Sequence, residues 1–296
     1  MVNARRFQNT IARATSVSGF GFWSGQDVRI EFQPADPDTG LVFVRSDLPG
    51  QPEIPALVHH RAEAQRRTAL AEGTATVEMV EHVLAALAGL HIDNCRIVVD
   101  AAEMPGVDGS SLPFVEALWD AGRVCQPEER PYLEVTRPVR LGDHSSWIEA
   151  HPATNPGSFT LEYRLDYDQH SAIPPQSRRY AHSIARFTAD LAPARTFILQ
   201  HEAEWLRSQG LALRTTTSDV LVFAPTGLID NELRFADECV RHKMLDVIGD
   251  LALSGCDLVG HFVAYRSGHR LNGELVAQLL DRETLSHHRP ALRRSA

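Results

Sequence analysis

Cysteine is scarce and scattered. The 296 residues include only four, Cys95, Cys125, Cys239 and Cys256, with no C-x-x-C pair among them. A disulfide framework or a zinc knuckle is therefore not expected, and reduced thiols are. Long apolar runs are missing too, since none approaches the roughly 18–20 residues that span a bilayer. The N-terminus "MVNARRFQNTIARATS" has some basic residues but no continuous apolar stretch after them, so no secretory signal is expected. Positive charge is in deficit: 29 Lys and Arg face 38 Asp and Glu, for a net charge of −9, which disfavours nucleic acid as a partner. The only basic segment is the tail "HHRPALRRSA", His287–Ala296, which reads as a loose C-terminus. Hydrophobic residues at 43% and charged residues at 23% complete the expectation of a soluble, cytoplasmic protein; a monomer is expected as well, though not on composition.

What is present is a mixed pattern of strands and helices. Val28, Ile30 and Phe32 alternate as in a strand. "ATVEMVEHVLAALAGL" predicts an amphipathic helix, with Val80, Val83, Leu84, Leu87 and Leu90 on helical spacing. The strand "CRIVVDAAEM", the loop "PGVDGSS" and the helix "LPFVEALWDAG" follow, with Pro113 near the helix start. "CQPEERP", from Cys125 to Pro131, is the best linker candidate. Beyond it "YLEVTRPVRLG", "SWIEAHPA", "SFTLEYRLDY" and "SDVLVFAP" read as strands, and "EAEWLRSQGL" as a short helix. The long helix "DECVRHKMLDVIGDLALSG", the strand "LVGHFVAYRSG" and the helix "LNGELVAQLLD" complete the chain.

The two halves resemble each other. "EHVLAALAGLHIDNCRIVV" and "RHKMLDVIGDLALSGCDLVGHFV" both run helix, Cys, apolar strand. Such self-similarity predicts an α+β protein of two related domains, residues 1–127 and 131–296, packed together. His82 of one principal helix would then meet His242 and Asp246 of the other.

The polar residues inside those helices need a reason, because burying an unpaired charge is costly. His242 and Asp246 stand four apart on one helical face. Alone they would read as an ordinary helix salt bridge, and "EH" at Glu81–His82 as a surface Glu beside a core His. Together His82, His242 and Asp246 would supply three ligands with an open fourth position, the pattern of catalytic rather than structural zinc. Glu81 would then lie beside a metal-activated water. His269, in the Gly-flanked turn "SGHRLNG", suits a general acid or an anion contact, with Asp250 able to orient it and raise its pKa. Lys243 offers a fixed positive charge, and Thr196 in "ARTF" a hydroxyl donor for a developing oxyanion. These are the parts of a metal-assisted hydrolase.

The stretches "VEHVLAALAGLHIDN", "EMPGVDGSSLPFV", "ARTF", "VRHKMLDVIGDLALSG" and "YRSGHRLN" resemble the bacterial zinc-dependent UDP-3-O-acyl-N-acetylglucosamine deacetylases, in order and over nearly the whole chain. The resemblance implies two similar α+β domains with the site in the cleft between them. It implies Zn2+ on His82, His242 and Asp246, Glu81 as general base, and His269 as the protonated partner held by Asp250. Thr196 would face the oxyanion, and Lys243, Phe197 and Glu202 the substrate, an acylated UDP-sugar. At most peripheral contact with a membrane is implied, and "RTFILQHEAEWLRSQGLAL" would line an apolar passage for the acyl chain. The chain departs from the family pattern at Phe22–Trp23, at Met79, at Ile198 and at "RTTTSD", Arg214–Asp219. These departures keep two alternatives open: deacetylation of another N-acetyl sugar nucleotide, and a non-catalytic sugar-nucleotide-binding protein.

Overall fold

A computed structural model describes residues 6–167, 172–281 and the strand Ser286–His288. Residues 289–296 of the basic tail lie outside the described residues. The alternation at Val28, Ile30 and Phe32 is realised: all three point into the core from the strand Asp27–Pro34. This strand belongs to a five-stranded sheet ordered Thr15–Phe20, Asp27–Pro34, Cys95–Val99, Leu41–Arg45, Glu53–Pro55. Its central strand, Cys95–Val99, runs antiparallel to Asp27–Pro34 and parallel to Leu41–Arg45.

The second half builds the same sheet again. Val139–Gly142, Trp147–His151, Asp257–Tyr265, Phe159–Leu165 and Gln176–Ala181 follow in that order. Here the central strand Asp257–Tyr265 is antiparallel to Trp147–His151 and parallel to Phe159–Leu165. The pairing directions match strand for strand, so the protein is α+β with two topologically similar halves. Tyr132–Glu134 and Ser286–His288 extend the second sheet beyond the shared pattern.

Six helices are described: α1 Glu81–Gly89, α2 Leu112–Ala121, the single turn α3 Ile184–Arg186, α4 Gln200–Ser208, α5 Glu238–Leu251 and α6 His269–Leu280. In each half the principal helix, α1 or α5, runs directly into the central strand of its sheet. The two principal helices pack against each other. Gly249 makes this contact close: a Cβ there would stand 2.1 Å from the backbone carbonyl oxygen of Glu81. Only a glycine lets the second half's helix lie on the first turn of α1, and that contact positions the polar residues of both. Glu238 in the first turn of α5 complements the helix dipole. Gly255, at φ 66°, ends the segment after a 3-10 turn.

Three expectations need correction. The predicted helix over "ATVEMVEHVLAALAGL" begins only at Glu81, because Ala75–Glu78 pairs as a strand with Ala69–Glu72. Its helix is also not amphipathic: every residue from Glu81 to Leu87 is buried, since α1 is covered from all sides. The linker candidate is no linker, because Arg123–Glu129 pairs antiparallel with Phe7–Ile11. Pro127 is tolerated there because a two-stranded ribbon leaves an unpaired edge on each strand.

Candidate metal centre and its cavity

The crossing of α1 on α5 brings together residues 160 positions apart in sequence, as 242 − 82 shows. His82 and His242 meet edge to face with ring centroids 5.0 Å apart. Asp246 Oδ1 lies 3.3 Å from His242 Nε2 and 3.7 Å from His82 Nε2. The three ligand atoms all fall within 4.8 Å of one another, and all three residues are buried. Donors about 2.0–2.1 Å from a tetrahedral ion sit roughly 3.3 Å apart, so this spacing fits one small cation.

The protonation of the cluster points the same way. Nδ1 of His242 lies 3.0 Å from the carbonyl oxygen of Ala194, so its N–H donates there and Nε2 is left as a lone-pair donor. Burial pushes His242 down to about 4, which keeps the imidazole neutral. Burial also opposes ionisation of Asp246, but the adjacent Lys243 ammonium and His242 overcome it and hold the carboxyl well below its usual range. Lys243 Nζ donates to Asp246 Oδ2 at 2.8 Å. The other oxygen, Oδ1, is buried without a hydrogen-bond partner. A buried ionised oxygen facing two imidazole nitrogens is costly unless a cation satisfies it. On this ground the residues fit a metal ion.

Beside the cluster stands a second, hydrogen-bonded set. Asp250, one turn beyond Asp246, accepts from the Thr68 hydroxyl and, at 2.8 Å, from the Asn272 amide. His269 Nδ1 lies 2.9 Å from Asp250 Oδ2. His269 opens α6 directly after Gly268. Ser267 donates to Asn272 Oδ1 at 2.6 Å, which fixes the amide. Burial works against an imidazolium at His269, but the carboxylates of Asp250 and Glu81 outweigh it and raise His269 to about 9. Its Nε2 faces Glu81 Oε1 at 3.9 Å. The other oxygen of Glu81 accepts the Thr68 backbone N–H at 3.0 Å. Burial pushes the Glu81 carboxyl up, against the pull of His269 and His82.

Both sets open into one cavity of about 790 Å³. Thr196 and Phe197 lie on its wall, and the Phe197 ring stands 6.2 Å from that of His242. The Thr196 backbone N–H donates to Gly109 O at 2.7 Å, which places the ARTF segment against the loop of the first half. Glu202 is also on the wall, where Oε1 pairs with Arg66 at 2.8 Å and Oε2 accepts the Leu199 N–H at the start of α4. Of the stretch expected to line an acyl passage, Ile198, Ala203, Leu206 and Ala212 lie on the cavity wall, beside Glu202 and Arg207. So do Phe22, Trp23, Met79, Thr215 and Thr216, so each departure noted in the sequence contributes to this wall.

All ten residues singled out in the sequence thus lie at or directly behind the cavity. Thr68, Ala194, Asn272 and Gly249 were not among them. Asn272, three positions beyond His269, carried a helical-spacing signal; Thr68, far from any motif, carried none, and Ala194 stands in ARTF but acts through its backbone carbonyl, which no residue type signals.

A sequence model of the UDP-3-O-acyl N-acetylglycosamine deacetylase family matches residues 8–281. A UDP-3-O-acyl-N-acetylglucosamine deacetylase of Anaeromyxobacter sp. (strain Fw109-5) is 40% identical over 92% of this chain and 88% of its own. The same-named protein of Psychrobacter arcticus is 40% identical over 92% and 85%. That of Haemophilus influenzae (strain PittEE) is 39% identical over 92% and 90%. With a match from residue 8 to 281 and a buried His-His-Asp cluster at the crossing of its two halves, the chain belongs to the UDP-3-O-acyl-N-acetylglucosamine deacetylase family.

Proposed function

We infer that the protein hydrolyses the N-acetyl group of UDP-3-O-(3-hydroxyacyl)-N-acetylglucosamine, releasing acetate in the committed step of lipid A synthesis. The observation that carries this reading is the single cavity that joins a buried His-His-Asp cluster, a carboxylate and an imidazole to an apolar wall. An amide with a long acyl neighbour is the substrate such a cavity suits. His82, His242 and Asp246 would hold the ion, and the His2Asp donor set suits zinc. When bound, a zinc ion supplies Lewis-acid polarisation of the acetamide carbonyl and acidifies water.

The remaining chemistry belongs to side chains. Glu81, its carboxyl raised by burial and tethered by Thr68, accepts the proton of the attacking water. His269 is kept cationic by Asp250 and sits on the Glu81 side of the cluster. It stabilises the negative charge that develops on the carbonyl oxygen and donates a proton to the leaving amine. Thr196 adds a hydroxyl donor toward that oxygen. Lys243, besides holding Asp246 Oδ2, gives the cavity a positive charge for the anionic substrate. Phe197 and Glu202 act on the substrate side. The halves that frame the cavity correspond to domains over residues 1–127 and 131–296.

The test is acetate release by the metal-quantified protein, with Glu81→Ala alongside. Turnover that needs the metal and falls by about 10² or more in the variant supports the reading. A fully metallated protein without turnover opposes it. The departures on the cavity wall favour a second reading, deacetylation of a different N-acetyl sugar nucleotide. Equal turnover of an unacylated substrate would support that reading instead.

A further inference from the structure

One stretch of the cavity wall is made by segments from opposite halves of the chain that are tied directly together. The first is the turn over residues 20–27. Both oxygens of Glu103 hold it, accepting the backbone N–H groups of Trp23 at 2.8 Å and Ser24 at 2.9 Å. The Phe22 ring lies flush on Gly106, where a Cβ would come within 2.0 Å of a ring carbon. This side of the wall is therefore rigid.

The second segment is the strap over residues 212–216. Ala212 donates its backbone N–H to Trp23 O at 3.0 Å. Thr215 Oγ1 donates to Phe22 O at 2.8 Å. Arg214 pairs with Asp27 at 2.6 Å and donates to Gly25 O at 3.2 Å, with its guanidinium 4.3 Å above the Phe20 ring. Behind the strap, Arg207 of α4 donates to Thr215 O at 3.0 Å. Ala212 is held at φ 54°, in the left-handed region that a residue with a Cβ rarely adopts, so the strap is drawn into place rather than relaxed there. Between these ties Phe22, Trp23, Ala212, Thr215 and Thr216 face the cavity, next to Leu206 and Val220.

We propose that this latch sets the longest acyl chain the protein accepts, with Arg214 and Thr215 as specificity-determining residues. The proposal rests on the deacetylase reading given above and deepens it. Each methylene that enters an apolar cavity improves binding by about fourfold until the wall is met. A longer chain must then displace Phe22 and Trp23, which Glu103 and Gly106 prevent, or lift the strap and break its ties. The strap is the weaker side, because Arg214 and Asp27 pair at the solvent-exposed surface.

The experiment is a kcat and KM series with the zinc-loaded protein and UDP-3-O-acyl-N-acetylglucosamines of increasing acyl length. Wild type is compared with Thr215→Gly, which removes the hydroxyl that binds Phe22 O. It is also compared with Asp27→Ala, an exposed change that endangers neither folding nor the cavity lining. In wild type kcat/KM rises with length and then falls at least about tenfold past an optimum. In both variants that fall moves to chains longer by about two carbons or more, through KM. For the shortest chain, Asp27→Ala retains the wild-type kcat. Coincident length profiles overturn the proposal, as does a uniform loss at every length, the mark of mere structural support. Absence of acetate release by the wild type at every length removes the deacetylase reading itself, a result distinct from coincident profiles.

Discussion

Replacing Gly249 by Ala tests the idea that one close helix crossing assembles the metal centre. The added Cβ would stand 2.1 Å from the Glu81 carbonyl oxygen, whereas ordinary contact begins at 3.4 Å, so the helices must part by about 3.4 − 2.1 = 1.3 Å. Overpacking of this kind costs about 1–3 kcal/mol. In a chain of this size each kcal/mol lowers Tm by roughly 2–4 °C. The larger consequence falls on the ligands. His82 follows α1 while His242 and Asp246 follow α5, so the shift opens the 3.7 Å spacing between His82 and Asp246 but leaves the 3.3 Å spacing within α5 intact. A site that depends on ligand placement within a few tenths of an ångström should lose at least about tenfold in zinc affinity. The assay is zinc content after dialysis against a weak chelator, beside a thermal melt of the metal-free protein. Gly249→Ala with wild-type zinc retention would refute the argument, even if its Tm falls, because the crossing would then not be what places His82.

Three further outcomes follow from the charges. Turnover should fall along a basic limb as His269 deprotonates near its raised value of about 9, and Asp250→Asn should move that limb down by about one pH unit or more. A pH–rate profile in which the limb does not move would separate His269 from Asp250. The same raised value makes stability pH-dependent. The contribution is complete below the ordinary histidine value of 6.5 and is lost as pH rises through 9, and melts of wild type and His269→Ala across that window measure it. Asp246→Ala takes away one proposed metal ligand and leaves the part-buried Lys243 ammonium without its carboxylate, with an expected cost of about 1–3 kcal/mol in the metal-free protein by urea unfolding. A cost below about 1 kcal/mol would show that Lys243 finds water or another partner.

Much of the site was legible because its spacing is local. His242, Asp246 and Asp250 recur every four residues on one helix, and a helix turns such residues to one side whatever surrounds it. The pairing of His82 with them could be expected from the repeat of helix, Cys and strand in both halves. The strand order was not legible at all: the five strands common to the two sheets match in order and direction, yet the segments that form them share no evident pattern. Strand neighbours are chosen by long-range packing, which a window of sequence does not contain. For the same reason α1 was misjudged as one-sided. Its residues satisfy helical periodicity, but the second half of the chain covers the face that would otherwise meet solvent.

The supports of the site show where that division lies. Thr68 serves two buried carboxylates at once, giving its N–H to Glu81 and its hydroxyl to Asp250, from a short connection between the strands Arg61–Ala62 and Ala69–Glu72 with no recognisable motif. Phe22, Trp23 and Arg214–Thr216 stood out in the sequence only as departures from the family pattern, and their ties to one another appear only in three dimensions. By itself the sequence determined most of the elements, the candidate donor residues and the chemical class, because periodicity and donor chemistry act over a few residues. The tertiary structure decided which imidazoles meet around one carboxylate, which carboxyl burial pushes up and which segments wall the cavity. Those depend on distances of a few ångströms between segments up to 193 residues apart, as between Thr215 and Phe22, or between Asp250 and Thr68 at 182.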